Sequence, residues 1–134
     1  MRLNTRDIQF INLFETMSKA RVVDFFESDD TLVFLVKSGD AFRAIGKKGE
    51  TINKIKRKLG RNVLVYEDSD DQEKFVRNVF KPFKVSVTMG DSIIVQMDTG
   101  ERMDLTSKRL RIIRSMISKK MGTENISIKT SRSQ

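Results

Sequence analysis

The sequence contains no cysteine, no histidine and no tryptophan, and its 134 residues include a single proline. Without cysteine the chain forms neither disulfides nor a thiolate centre, and without histidine it lacks the commonest general base and metal ligand. No apolar run reaches the ~20 residues of a membrane span, and charges interrupt the N-terminus where a secretion signal needs an apolar stretch. We therefore expect a soluble, cytoplasmic, non-enzymatic protein without a metal site, a cofactor, a membrane partner or a small-molecule substrate.

The positive charge of the chain is concentrated in two windows. Lysine and arginine total 26 against 18 acidic residues, which gives a net charge of +8. Residues 43–61 hold eight basic side chains and one acid, a charge of +7, and residues 102–120 hold seven and one, a charge of +6. The remaining residues sum to a negative charge. Positive charge focused in this way favours a polyanionic partner.

The first window contains the motif IGKKGETINKI at residues 45–55. Two glycines flank two lysines, and the isoleucines that follow are spaced as on one face of a helix. Glycine lacks a Cβ atom, so it permits positive φ angles and the close approach of another backbone. The start of a helix adds free N–H groups and the positive end of its dipole. A Walker-type phosphate loop fits less well, because Gly39 lies seven positions before Gly46 and Lys48, not Ser or Thr, follows Lys47.

The spacing I-G-x-x-G-x-x-I-x-x-I resembles the KH module, whose glycine loop clamps the backbone of about four nucleotides. The resemblance implies a backbone clamp, an apolar floor for the bases and secondary phosphate contacts. The clamp residues are Gly46, Lys47, Lys48 and Gly49, the floor residues are Ile45, Ile52 and Ile55, and the phosphate contacts are Lys54 and Arg57. Single-stranded RNA is therefore the expected partner.

Residue patterns predict six elements in each half of the chain. In the first half they are a helix over 5–20 capped by Asn4 or Thr5, a hairpin of strands over 22–26 and 31–36, helices over 40–45 and 50–59, and a strand over 62–67. In the second they are a helix after a capping box from Ser69 to Gln72, ended by Pro82, strands over 83–87 and 93–97, a short helix, a long helix over 105–121 and a strand over 125–128. Phe25, Phe26 and Phe34 are core candidates.

The two halves read as an internal repeat. Gly60 corresponds to Gly122 and Asn62 to Asn125, at offsets of 62 and 63 residues. Aligned in this way, the loop of the second half is degenerate, with Asp104, Leu105, Thr106 and Ser107 at the positions of the glycine loop. The basic helix after it offers the RNA contacts Lys108, Arg109 and Arg111, together with Arg114, for a phosphate chain gripped without sequence specificity.

Two such modules in tandem resemble the archaeal NusA-like transcription factors. The resemblance implies an α+β fold of two type II KH modules, residues 1–68 with the intact loop at 46–49 and residues 69–134 with the degenerate loop at 104–107, each a small three-stranded sheet packed on helices. It also implies single-stranded RNA binding and a role in transcription elongation or termination. Two alternatives remain open at this point: ribosome assembly or ribosomal RNA processing, with ribosomal particles as partners, and an adaptor that docks on RNA polymerase.

Overall fold

The computed structural model of the chain describes residues 3–98 and 106–131. The chain divides into two compact units, Met1–Ser69 and Asp70–Gln134. Each unit combines one three-stranded sheet with helices, which confirms the predicted α+β class. Within the described residues, no helix has both the length and the apolar character that a membrane crossing requires.

The first unit has the element order that the sequence predicts. Its elements are α1 (Thr5–Ser18), β1 (Val22–Ser28), β2 (Thr31–Val36), α2 (Ala41–Ile45), a 3-10 turn (Lys47–Gly49), α3 (Glu50–Leu59) and β3 (Asn62–Glu67). Asn4 caps α1, because its side chain accepts a hydrogen bond from the Asp7 N–H at 2.8 Å and its own N–H bonds the Asp7 carboxylate in return.

The sheet of the first unit places β2 in the middle. β1 pairs with β2 in antiparallel fashion, and β3 lies parallel to β2 on the other side. Leu32, Val33, Phe34 and Val36 are each 0% exposed, so β2 is buried on both faces, as its unbroken apolar run predicts. A parallel pair needs a crossover connection, and α2, the 3-10 turn and α3 form it.

Stacked aromatic rings form the centre of the first core. The rings of Phe14 and Phe34 lie 4.0 Å apart between centroids, and Phe25 lies 5.0 Å from Phe34. Phe26 is only half-buried, so its assignment to the core was wrong. Successive residues of a strand point to opposite faces, and Phe25 takes the face that packs against α1 and α3.

The second unit repeats the same sheet arrangement. Its elements are α4 (Gln72–Phe80), β4 (Val85–Met89), β5 (Ile93–Asp98), α5 (Ser107–Met121) and β6 (Ile126–Ser131). β4 and β5 are antiparallel, and β6 lies parallel to β5. The short helix predicted before α5, and with it Asp104 and Leu105, lies outside the described residues.

Two boundaries in the second unit differ from the prediction. The N-cap of α4 is Asp71, whose side chain accepts from the Lys74 N–H at 3.1 Å, so the predicted capping box from Ser69 to Gln72 was wrong. β4 begins at Val85 instead of residue 83, because the N–H of Phe83 bonds the carbonyl of Phe80 at 2.9 Å in a turn after the helix.

Both long helices of the repeat end in the same way. Gly60 after α3 has φ 68° and Gly122 after α5 has φ 72°, and the N–H of each bonds a carbonyl of the last turn, at 2.9 and 2.8 Å. This matched termination agrees with the 62-residue offset read from the sequence.

Candidate nucleic-acid interface

The glycine loop is a sharp reversal between α2 and α3. Gly46 ends α2, with φ 79° and ψ 170°, and its N–H bonds the carbonyl of Phe42 at 2.7 Å. The N–H of Gly49 then bonds the carbonyl of Gly46 at 3.1 Å, which closes a single 3-10 turn. The turn presents Lys47 and Lys48 to solvent between the two helices.

The two glycines serve different purposes. A Cβ atom at Gly46 would lie 2.4 Å from the Thr51 side-chain oxygen and 2.7 Å from the Thr51 backbone nitrogen, so the loop packs on its own helix there. A Cβ at Gly49 would meet nothing closer than 3.8 Å. Gly46 is therefore required by the fold of the loop itself, whereas a side chain at Gly49 would make only ordinary contacts with Asn53 and Ile52.

The loop also uses left-handed backbone at two consecutive positions. Lys48 has φ 54° and ψ 27°, and Gly49 has φ 75° and ψ 15°. Because Gly49 is the N-cap of α3 and has no side chain, no side-chain cap bonds the first turn of this helix. The positive end of the helix dipole thus faces the same loop that carries the two lysine charges.

The predicted apolar floor is only partly available to a ligand. Ile45 is 39% exposed and Ile52 is half-buried, so both offer surface beside the loop. Ile55 is 0% exposed and belongs to the core with Phe14 and Phe34, so its assignment to the floor was wrong. Ile55 lies one turn further along α3, on the side that packs against α1 and the sheet.

The cations of α3 are not equivalent. Lys54 lies 3.3 Å from the carboxylate of Glu50, one turn earlier on the helix, so part of its charge is offset. Arg57 is exposed on the same helix. Glu50 was not identified from the sequence, although an acid four residues before a lysine in a helix is the usual signal for such a pair.

One exposed residue beside the loop was missed altogether. Phe42 in α2 is 75% exposed, although phenylalanine is usually buried. The sequence of α2, AFRAI, is only five residues long, too short for its periodicity to show which side faces the core.

Comparisons with known proteins agree with this architecture. The chain is 41% identical over 107 residues to the probable transcription termination protein NusA of Methanococcus vannielii, over 77% of the chain and 62% of that protein. It is 34% identical over 103 residues to the protein of the same name from Halobacterium salinarum, over 75% of the chain and 74% of that protein. The chain belongs to the archaeal NusA family.

Two further comparisons bear on the extent of the likeness. The NusA protein of Methanocaldococcus jannaschii is 39% identical over 63% of the chain but only 46% of its own length, so the chain spans less than two thirds of this relative and of the M. vannielii one. The crystal structure of APE1850 matches 95% of the chain and all of that protein, with a TM-score of 0.71 and 26% identity. No protein-family model matches the chain.

In the second unit, the structure shows how the basic helix of this NusA-family chain is anchored. Thr106 caps α5 by accepting from the Arg109 N–H at 3.1 Å. The Arg109 guanidinium donates to the carbonyl of Lys81 at 3.1 Å, so this predicted RNA contact also holds the segment after α4. Arg111 is exposed and Lys108 is half-buried. Arg114 donates to the carbonyl of Ile126 at 2.8 Å and so ties α5 to β6.

The part of the chain that the structure describes contains no group of His, Cys, Asp or Glu side chains placed to hold a metal ion. What it offers is cationic side chains around a glycine turn and exposed apolar surface next to them. That combination suits binding of a polyanionic strand.

We expect replacement of Glu50 by glutamine to strengthen RNA binding about threefold, because it removes the acid closest to the lysine loop and leaves Lys54 unpaired. The same change should lower the free energy of unfolding by about 0.5 kcal/mol, since a carboxylate in the first turn stabilises a helix. Fluorescence anisotropy with a labelled RNA and urea unfolding measure the two effects.

Glu73→Gln is the matched control, because Glu73 also lies in the first turn of a helix and pairs with Arg77 four residues later, at 3.7 Å. It should lower stability by a similar amount and leave RNA affinity unchanged. Weaker binding by Glu50→Gln would contradict the expectation.

Proposed function

We propose that the chain is a single-stranded RNA-binding protein that acts in transcription termination or elongation and grips the RNA backbone through residues 46–49. The observation that carries the proposal is the reversal itself, which exposes two lysines at the uncapped start of α3. The names of the relatives, probable transcription termination protein NusA, support transcription over ribosome assembly.

In this proposal the loop and the residues beside it contact both the phosphates and the bases of the strand. Phosphates lie against Lys47, Lys48 and the first N–H groups of α3, and close approach is possible because Gly49 has no side chain. Bases lie on Ile45 and Ile52, and Arg57 contacts a further phosphate, with Lys54 contributing less because of its pairing with Glu50. Neutralised phosphates release counterions, so affinity falls as salt rises.

We further propose that each unit is a type II KH module, with boundaries near residues 1–68 and 69–134. The parallel pairing of the last strand with the middle strand, present in both sheets, supports this assignment. The order helix, strand, strand, helix, helix, strand in the first unit supports it as well. The second module would use Lys108, Arg109 and Arg111 for phosphate contacts without sequence selectivity.

The full chain is expected to bind a single-stranded 12-nucleotide RNA at about 0.15 M salt, with log Kd rising linearly with log salt concentration. The same sequence as an RNA duplex should bind more weakly, because its bases are not available to the floor. Anisotropy titrations at several salt concentrations measure both. Equal affinity for the duplex would argue for simple adhesion of a basic protein and against a clamp.

The role in transcription needs its own measurement. Added to a purified archaeal RNA polymerase elongating through a terminator, the chain should change the fraction of terminated transcripts. RNA binding with no effect on that fraction, together with co-purification of ribosomal RNA from cells, would favour the ribosome-assembly alternative. An effect that persists when the loop no longer binds RNA would favour the polymerase adaptor.

A further inference from the structure

Phe42 is an aromatic side chain that the fold leaves outside its core. It is 75% exposed, whereas Phe14, Phe25 and Phe34 of the same unit are between 0% and 4% exposed. The other exposed large hydrophobic side chains of the described residues are at most 46% exposed. Exposing most of a phenyl ring forgoes the free energy of burying it, so the position is costly unless something covers it.

The helix that carries Phe42 packs on the core through its alanines. Ala44 is 0% exposed and Ala41 is half-buried against the core of the first unit. Phe42 and Arg43 are left on the outer side, and the Arg43 side chain is 62% exposed. The small alanines let α2 approach the sheet closely, so the ring has no place in the core.

Phe42 is also directly tied to the glycine loop. Its carbonyl accepts the N–H of Gly46 at 2.7 Å, which places Phe42 one turn before the reversal. Ile45, at i+3, is a surface neighbour on the same short helix and is 39% exposed. The two side chains form an exposed apolar strip that leads to Lys47.

The charges around the strip indicate which kind of partner covers it. Arg43 lies next to Phe42 in the chain, and Lys47 and Lys48 follow Ile45 in the loop. Two acids lie at the start of this helix and both are engaged: Asp40 lies 3.9 Å from Arg43 and accepts the backbone N–H of Arg21 at 2.8 Å, and Glu67 accepts the backbone N–H of Ala41 at 3.4 Å. A single aromatic ring set among cations is the arrangement of a platform for single-stranded nucleic acid.

We propose that Phe42 stacks on an unpaired nucleobase of the strand whose phosphates bind at Lys47 and Lys48. The inference rests on the proposed RNA-binding function and adds a residue and a contact type to it. Stacking is tolerant of base identity because every base has a π-face, so Phe42 would contribute affinity at this position with little sequence preference. It would also select against duplex RNA, whose bases are already stacked on each other.

The test compares Phe42→Ala, Phe42→Leu and Phe42→Trp in anisotropy titrations of the full chain with one labelled single-stranded RNA. Phe42→Ala and Phe42→Leu should each weaken binding at least about fivefold, and Phe42→Trp should bind as tightly as the parent chain, because tryptophan retains a stacking surface. The slope of log Kd against log salt should not change, since stacking releases no counterions. Val23→Ala, at a position 46% exposed on β1, is the control and should bind normally.

A second measurement uses the same RNA with one base at a time replaced by an abasic site. The parent chain should bind one of these strands more weakly than it binds the intact RNA. Phe42→Ala should bind that strand almost as tightly as it binds the intact RNA, because the ring and the base form one contact. Parent-like binding by Phe42→Ala or Phe42→Leu, or a lowered salt slope, overturns the stacking proposal. If those variants bind normally and reversing the charge of Lys47 and Lys48 to aspartate still weakens binding at least about tenfold, the stacking proposal fails and the clamp stands. If the parent chain does not bind RNA, the proposed function itself fails.

Discussion

Reversing the charge of Lys47 and Lys48 to aspartate is expected to weaken single-stranded RNA binding at least tenfold, about 1.4 kcal/mol, without unfolding the chain. Each phosphate contact that is lost should lower the slope of log affinity against log salt by ~0.7, so the double variant should lose ~1.4. The two aspartates in the loop also repel the phosphates, and the salt titration separates this repulsion from the loss of the phosphate contacts.

The fold should tolerate this double change. Both lysines are exposed in the 3-10 turn, and no ion pair of either side chain is among the contacts found in the described residues. Lys48 has φ 54°, a left-handed conformation that aspartate adopts more readily than most residues. An unchanged urea midpoint would show that the affinity loss comes from charge and not from misfolding.

The comparison in the second unit is Thr106→Asp with Ser107→Asp, which places two aspartates there without removing a cation. Aspartate is a competent N-cap, so α5 keeps its start, and both variants introduce two aspartates at the beginning of a basic helix. We expect a much smaller loss of affinity, because neither glycine of the clamp is present there. A loss as large as that of the lysine variant would make the second unit the principal RNA site and the first loop a simple turn between helices.

Gly46→Ala is expected to destabilise the first unit by about 3 kcal/mol or more. Gly46 combines φ 79° with ψ 170°, a region that is essentially restricted to glycine, at a cost of about 1–3 kcal/mol for other residues. The new Cβ would also lie 2.7 Å from the Thr51 backbone nitrogen, which cannot rotate away, and overpacking of this kind costs a further 1–3 kcal/mol.

The chain provides its own probe for this measurement. Tyr66 is the only tyrosine, there is no tryptophan, and Tyr66 lies in β3 of the first unit at 3% exposure. Its fluorescence during urea unfolding therefore reports on the first unit. RNA binding by Gly46→Ala should also fall, since α3 cannot keep its contact with the end of α2.

Gly49→Ala is the comparison that separates the two glycines. Its φ of 75° and ψ of 15° are left-handed, and a Cβ there would meet no atom closer than 3.8 Å, so we expect a stability loss of only about 1 kcal/mol. The loss of RNA affinity should exceed what this small destabilisation explains, because the new methyl group lies where we propose that the RNA backbone approaches the loop. Equal stability losses for the two variants would refute the assigned division of roles.

Much of the first unit could be predicted from residue pattern, because its elements depend on local rules. The helix cap at Asn4 or Thr5, the glycine that ends α3 and the unbroken apolar run of β2 are each signalled by residues close together in the sequence. The reversal between α2 and α3 was likewise predictable, since two glycines framing two lysines at the start of a helical repeat leave few backbone conformations.

The errors arose where two nearby residues satisfied the same local rule equally well. Ser69 and Asp71 are both competent helix caps, and only the path of the chain out of β3 decides which of them meets a free N–H. Phe25 and Phe26 are equally apolar neighbours, and only the packing of α1 on one sheet face decides which is buried.

The sequence by itself determined that this protein has a basic, glycine-framed loop on an α+β scaffold that is repeated along the chain, because charge, glycine and apolar period are properties of neighbouring residues. Only the tertiary structure decided what surrounds that loop. Ile55 faces the core and leaves Ile45 and Ile52 beside the loop, and a Cβ atom is excluded at Gly46 by Thr51 but would fit without a clash at Gly49. Phe42 is exposed because two alanines hold α2 against the sheet. Each of these outcomes depends on which residues from distant parts of the chain occupy the space around the loop.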